Sequence, residues 1–470
     1  MGRDKTVLFL VVMYAGAFLA GFSENLMNMA LMSIMADFSV DSITAQWLVT
    51  GYMIVATIFV ICTAFFFRRI KLRILFFIAA AAVIIGSAIG FVSTSFEMLM
   101  VGRLIQAIGF GPLIPMMMNS VLVVVDKRKL GVYMAIGGCM ISFGPAFAPA
   151  VCGALVTALG WHAVFLAPLV GMAVVTVLGI FFVKSFDTVS AKLDLLSVVL
   201  CSLFLLALCF GLSQLTVSLS FGIGCLVSAL VIGALFVIRQ NKASHPLISM
   251  EPMKRKSFWP AALLVTIAML SSFALSVLLP LYYEGALGMT AVSAGFLILI
   301  PVAINCVVAL VAGRIMDRAG EWPLLPIGYG LAAIGFILLA LFASSMNAKL
   351  VVVASVVAFV GIGLVFSPSQ TAGLRTLPCE ENPFGVAIMT TATQLAACVA
   401  PSLYIGVMSG AQVSALAGGS AAEPATALGF ATAIVVAAVI GVIAFATAFA
   451  FARAQVRRDE ERAGDPVKIA

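Results

Sequence analysis

Charge is what this sequence lacks most. Asp, Glu, Lys and Arg make up 10% of its 470 residues, against roughly a quarter in an ordinary soluble domain. That excludes a water-facing globular surface. Histidine is almost missing: His162 and His245 are the two present, both at expected helix ends or loops. No histidine metal cluster or histidine base therefore falls within an apolar segment. The nine cysteines contain no CxxC pair, and all but Cys379 lie in apolar stretches, where cysteine behaves as a small hydrophobe. Neither a disulfide framework nor a metal site is expected. The sequence has no Walker A run, no G-x-S-x-G and no clustered His/Asp/Glu set, which argues against ATP-driven work and against a membrane enzyme. It also has no filter-like segment and no soluble domain, which argues against a channel and a sensor.

What is present is apolar length. Hydrophobic residues make up 63% of the chain, in recurring runs long enough to cross a ~30 Å hydrocarbon core as helices. An all-α polytopic membrane protein is expected. Splitting at charged and turn-rich points gives fourteen spans, the first over 6–36 and the last two over 384–410 and 425–452, with 411–424 an outer loop. Residues 2–20 resemble a signal peptide, but the apolar run continues to Met35, so a retained first helix is expected. Basic residues fall in alternate loops: Arg68 to Arg73, Lys127 to Lys129, Lys184 and Lys192, Arg239 to Lys256, Arg314 and Arg318, and Arg375. Arg3, Lys5 and the tail from Arg453 share that side, while the opposite loops carry Lys349 alone. The positive-inside rule places both termini in the cytoplasm of a cell inner (plasma) membrane. It also accounts for the net charge of +7 without nucleic acid. Trp47 and Trp161 are expected at the outer interface, Trp259 and Trp322 at the inner one.

The expected organisation is a six-helix half over 1–183, two linker helices and a loop over 184–258, a second six-helix half over 259–452, and a tail over 453–470. Each half places a basic loop after its second helix, "TAFFFRRIKLR" (63–73) and "VAGRIMDRAG" (311–320). Two related halves around a midplane site are a common transporter plan.

Two charges sit far from any expected helix end, Glu24 and Arg103. A charge at the bilayer centre costs at least ~2.5–3.5 kcal/mol, so each must face a partner or a wet cavity. An interaction between them, direct or through water, is expected. Burial and a nearby guanidinium act on a carboxyl group in opposite senses, which makes Glu24 a candidate to exchange a proton for substrate. A permanent structural pair and direct binding of a cation are the alternatives. Asn25 and Asn28 lie near the face of Glu24, and Gln106 lies one turn from Arg103. These amides either hydrogen-bond substrate or join helices. Tyr282, Gln394, Tyr283, Gln370, Asn119 and Asn305 are further cavity candidates. Twenty-three methionines, including "PMMMN" (115–119), suit a pocket of variable shape.

Several stretches together resemble one family. "NMALMSIMADF" with "TAQWLVTGYMI", "GRLIQAIGFG", "SFGPAFAPAVCGAL" and "GRIMDRAG" resemble, in order, the motifs of the major facilitator superfamily, specifically its fourteen-helix drug:proton antiporter branch (EmrB/QacA type). The first-half basic loop departs from the pattern in lacking a glycine and an aspartate. Ala148 and Cys152 stand where glycines are common, His162 where arginine is, and Glu284 where glutamine is. The resemblance implies the major facilitator fold with two extra central helices. It implies proton coupling through Glu24 and Arg103, with Glu284 as a further candidate. It implies gating by Arg314, Asp317 and Arg318 and by the bend at Gly144, Pro145, Pro149 and Gly153. The implied function is proton-driven export of amphipathic or cationic small molecules by alternating access. The alternatives are export of one metabolite, lipid or signalling molecule and, more distantly, a sensor or membrane enzyme. No cofactor is expected beyond the proton gradient. The expected partners are a small-molecule substrate and the lipid bilayer, with no nucleic acid, and the chain is expected to act as a monomer.

Overall fold

A computed structural model describes residues 3–125, 130–184, 194–215, 218–243, 250–319, 321–378 and 381–463, with some helical positions described by backbone alone. All regular structure among them is helical. The helices are α1 (Arg3–Leu26), α2 (Leu31–Phe38), α3 (Ser42–Ala45), α4 (Trp47–Arg69), α5 (Leu72–Phe91), α6 (Phe96–Val124), α7 (Leu130–Leu159) and α8 (Leu166–Phe182). They continue with α9 (Leu195–Gln214), α10 (Leu219–Lys242), α11 (Trp259–Gly285), α12 (Ala291–Ala319), α13 (Glu321–Ala343), α14 (Ala348–Arg375), α15 (Asn382–Ala417) and α16 (Ala422–Ala463). Thirteen segments are long and apolar enough to cross a membrane, and Phe143–Leu159 of α7 is a shorter apolar one.

Local chemistry sets the helix starts. Asp41 accepts from the Thr44 amide at 3.0 Å and Ser95 from the Met98 amide at 3.2 Å, each satisfying a donor that a first turn leaves free. Between α7 and α8 the chain turns through Gly160 at φ +83°, a conformation open to glycine at no steric cost. Helices α6, α7, α11, α12, α13, α14 and α15 each contain internal proline, tolerated in a membrane bundle because neighbouring groups satisfy the freed carbonyls.

The packing repeats. In the first block α1 packs on α6, α7 and α8, α6 also on α4 and α5, and α5 on α8. Replacing α1, α4, α5, α6, α7 and α8 by α11, α12, α13, α14, α15 and α16 reproduces every one of these pairs in the second block. The correspondence reaches single residues. A Cβ on Gly102 of α6 would lie 2.9 Å from the Gly86 carbonyl of α5, and one on Gly361 of α14 would lie 2.6 Å from the Gly328 carbonyl of α13. Glycine lets both pairs of backbones approach this closely. Contacts between the blocks follow the same exchange, with α4 on α15 and α7 on α12.

Helix α9 packs on α15 and α4, whereas α10 packs on α9. The Arg239 guanidinium of α10 donates to both oxygens of Asp194, at 3.0 and 3.1 Å, and Ser197 donates to Asp194 at 2.6 Å. The guanidinium foremost, then the serine, holds the Asp194 carboxyl down at about 2, so this latch stays ionised at physiological pH.

Three sequence expectations change. The first span is not one helix over 6–36: a 3-10 turn at Met27–Met29 separates α1 from α2. The stretch 411–417, expected as loop, continues α15. Trp161 is buried, donating to Asp37 at 3.0 Å, and Trp47 packs on Phe210 of α9 at 5.8 Å. Trp259 and Trp322, at the end of the bundle that carries the termini, are exposed, whereas of the outer pair Trp47 is half-buried and Trp161 buried.

Candidate substrate path and coupling site

The site lies where α1, α4, α6, α11 and α15 converge. Arg103 of α6 is fully buried. Its guanidinium carbon lies 4.1 Å from the centre of the Tyr52 ring of α4. It donates to Gln106 Oε1 at 3.0 Å, to the Leu48 carbonyl at 3.4 Å, and to the Ser23 carbonyl and hydroxyl, both at 3.5 Å. All of these partners are neutral. A buried cation can be held this way, by a π face and several dipoles.

Of the two forms expected for the Glu24–Arg103 interaction, direct or through water, the direct ion pair is absent among the described residues. Arg103 spends its donors on Ser23, the residue before Glu24, and on Leu48 and Gln106. Glu24 is partly exposed, yet it lies close enough to Tyr52 and to Cys398 of α15 for its charge to act on both. Both neighbours are buried. Glu24 thus keeps part of its side chain accessible among groups that are themselves buried.

The other expected residues divide into three groups. Asn25 and Asn28 are buried and join the blocks: Asn28 Nδ2 donates to the Ser276 carbonyl and hydroxyl of α11, each at 3.2 Å, and Ser276 Oγ donates to Asn25 Oδ1. Gln106 and Tyr282 do not reach open space. Gln106 is fully buried and also donates to Ser87 at 2.7 Å, so it positions Arg103; Tyr282 is fully buried and donates to the Ala343 carbonyl at 2.8 Å. Gln394, Gln370 and Asn119 are partly exposed, as is Glu284, whose Oε1 is buried without a hydrogen-bond partner.

The bend motif sits on two seams. A Cβ on Gly144 would meet the α1 backbone at Phe18 and Gly21, at 2.7 and 2.8 Å. Two turns on, Gly153 abuts the Ala291 backbone of α12, and Gly295 of α12 abuts Pro149. Pro145 packs against Gly21. Arg314 is exposed near the end of α12, while the side chains of Asp317 and Arg318 lie outside the described residues.

Sequence reasoning missed the second seam. Ser42 bonds Ser409 at 2.9 Å, Thr50 bonds Ser402 at 3.3 Å and Thr57 bonds Cys398 Sγ at 3.2 Å. The i, i+4 run of Ser42, Gln46 and Thr50 was the available signal, a polar stripe on an apolar helix. Ser272 and Ser276 of α11 carry the same i, i+4 spacing. The Ser42–Ser409 bond and the approach of Gly153 to Ala291 lie at the helix ends away from the termini, and the Thr57–Cys398 bond lies near mid-helix, so the blocks meet from that end to the middle of the bundle.

The family model for the Major Facilitator Superfamily matches residues 13–401. The chain belongs to that superfamily. This facilitator is 31% identical over 400 residues to the Lincomycin resistance protein LmrB of Listeria monocytogenes, covering 84% of this chain and 85% of that protein. It is 26% identical over 394 residues to a Multidrug resistance protein B homolog of Mycobacterium tuberculosis, covering 82% and 73%. Among solved structures, a bacterial homolog of the human lysosomal transporter Spinster, inward-facing and unoccupied, superposes with a TM-score of 0.71 at 14% identity, covering 96% of this chain and 98% of that one. The protein is thus a multi-pass membrane transporter, not an enzyme.

Proposed function

We propose that this facilitator exports amphipathic or cationic small molecules in exchange for protons. The carrying observation is Glu24: a carboxylate in the last turn of α1, inside the first membrane span, partly exposed and without an ion-pair partner among the described residues. Such a group can hold a proton in one state and release it in another. The names of the resistance relatives support the substrate class.

In this reading the chain has fourteen spans, the thirteen long segments plus that of α7, as in the drug:proton antiporter branch. Both termini lie in the cytoplasm, and the protein works alone in the plasma membrane with no cofactor beyond the proton gradient. The blocks close the outer end, and substrate enters from the cytoplasmic side past Gln394. Asn25 and Asn28 become available to substrate when their bonds to Ser276 open. Gly144, Pro145, Pro149 and Gly153 give α7 its bend, and Arg314, Asp317 and Arg318 control the inner end.

The test is a panel of lincosamides, lipophilic cations and neutral metabolites in proteoliposomes with an imposed pH gradient. Uphill movement of lincosamides or cations, abolished by a protonophore, is expected. Movement of a neutral metabolite alone, or flux indifferent to the gradient, would overturn the reading.

A further inference from the structure

A slot of about 470 Å³ lies on the outside of the second block, remote from Glu24, between the start of α11 and the last turns of α16. Along α16, Ala446, Ala450 and Ala454 recur about once per turn and leave a shallow channel over about 12 Å of helix. Its termini-side mouth is polar, with Lys256, Ser257 and Gln455. Trp259 flanks it, 45% exposed, as interfacial tryptophans do at headgroup level. The neighbouring cation Arg255 is already held by Glu381, at 2.5 and 2.7 Å. Lys256 is exposed, and no carboxylate lies within ion-pair reach of it among the described residues. Among the described residues no acidic side chain lines the slot.

The geometry points to a binding site for one anionic phospholipid of the leaflet on the termini side. The phosphate rests on Lys256 with Ser257 and Gln455, and an acyl chain lies in the alanine channel against α16. The polarity gradient matches that of the lipid: cation and hydrogen-bonding groups at the interface, methyl groups below. A free phosphate would use the mouth and leave the channel empty, whereas an uncharged lipid would use the channel and leave Lys256 unpaired.

Native mass spectrometry of the full-length protein in mixed micelles tests this, with phosphatidylglycerol and phosphatidylethanolamine of identical chains as probes and glycerol 3-phosphate as competitor. Phosphatidylglycerol should be retained about fivefold more tightly, the factor that one lysine near a membrane surface contributes. Lys256→Gln should erase that preference. Ala450→Leu, which fills the channel, should weaken both lipids. Lys349→Gln, exposed at the opposite end, should change nothing. Equal retention of the two lipids by the wild type, an undiminished preference in Lys256→Gln, or displacement of the lipid by glycerol 3-phosphate would each overturn the site. Should Ala450→Leu fail to fold, the exposed Lys256→Gln still decides.

Discussion

Arg103 shows how far a single residue could be read. Its isolation marked it as embedded and in need of partners, but spacing along the chain does not say which way a side chain leaves its helix. Its partners prove to be Tyr52, Ser23, Leu48 and Gln106, not Glu24. Gln106 and Tyr282 were ambiguous for a related reason: a polar group in an apolar run either lines a cavity or joins helices, and both are fully buried and hydrogen-bonded. Gln106→Ala removes an acceptor of Arg103 and a donor to Ser87, whose hydroxyl also donates to the Val83 carbonyl. It should destabilise the folded protein by about 1–3 kcal/mol, the cost of leaving buried groups unpaired. The expected result is a lower melting temperature with an unchanged substrate KM. A raised KM at an unchanged melting temperature would mean that Gln106 binds substrate.

At the scale of elements, apolar length located the spans because a bilayer demands it. Their ends were less legible. Helix α15 runs on to Ala417 because nothing in "AQVSALA" breaks a helix, and the 3-10 turn at Met27–Met29 carries no glycine or proline to announce it. The glycines and prolines of α7 were legible as a bend, and nothing in their spacing says which backbone Gly144 or Gly153 meets. Gly153→Val would drive a side chain into the Ala291 backbone and should disfavour the α7–α12 contact. Cysteines at Thr157 and Val292, where the amide of the second donates to the hydroxyl of the first at 3.3 Å, report on it in a background without native cysteines. Their cross-linking yield should fall at least twofold with Gly153→Val. An unchanged yield would show that α7 and α12 tolerate the added bulk in place.

For the whole molecule, the twofold repeat was legible only as two basic loops at matching offsets. Its strongest expression is the set of helix pairs that recurs from block to block, which no single stretch of sequence displays. Alternating access requires the seams at the closed end to part in each cycle. A disulfide between Ser42→Cys and Ser409→Cys, whose hydroxyls lie 2.9 Å apart, should therefore stop transport and release it on reduction. Full transport by the cross-linked protein would rule out opening along that seam. The central claim, that Glu24 couples substrate to protons, meets its most direct test in Glu24→Gln, which keeps the shape and removes the titration. Reconstituted beside the wild type, this variant should lose accumulation driven by a pH gradient while retaining downhill exchange of the same substrate. Undiminished pH-driven accumulation in Glu24→Gln would contradict the account and move the coupling role to Glu284.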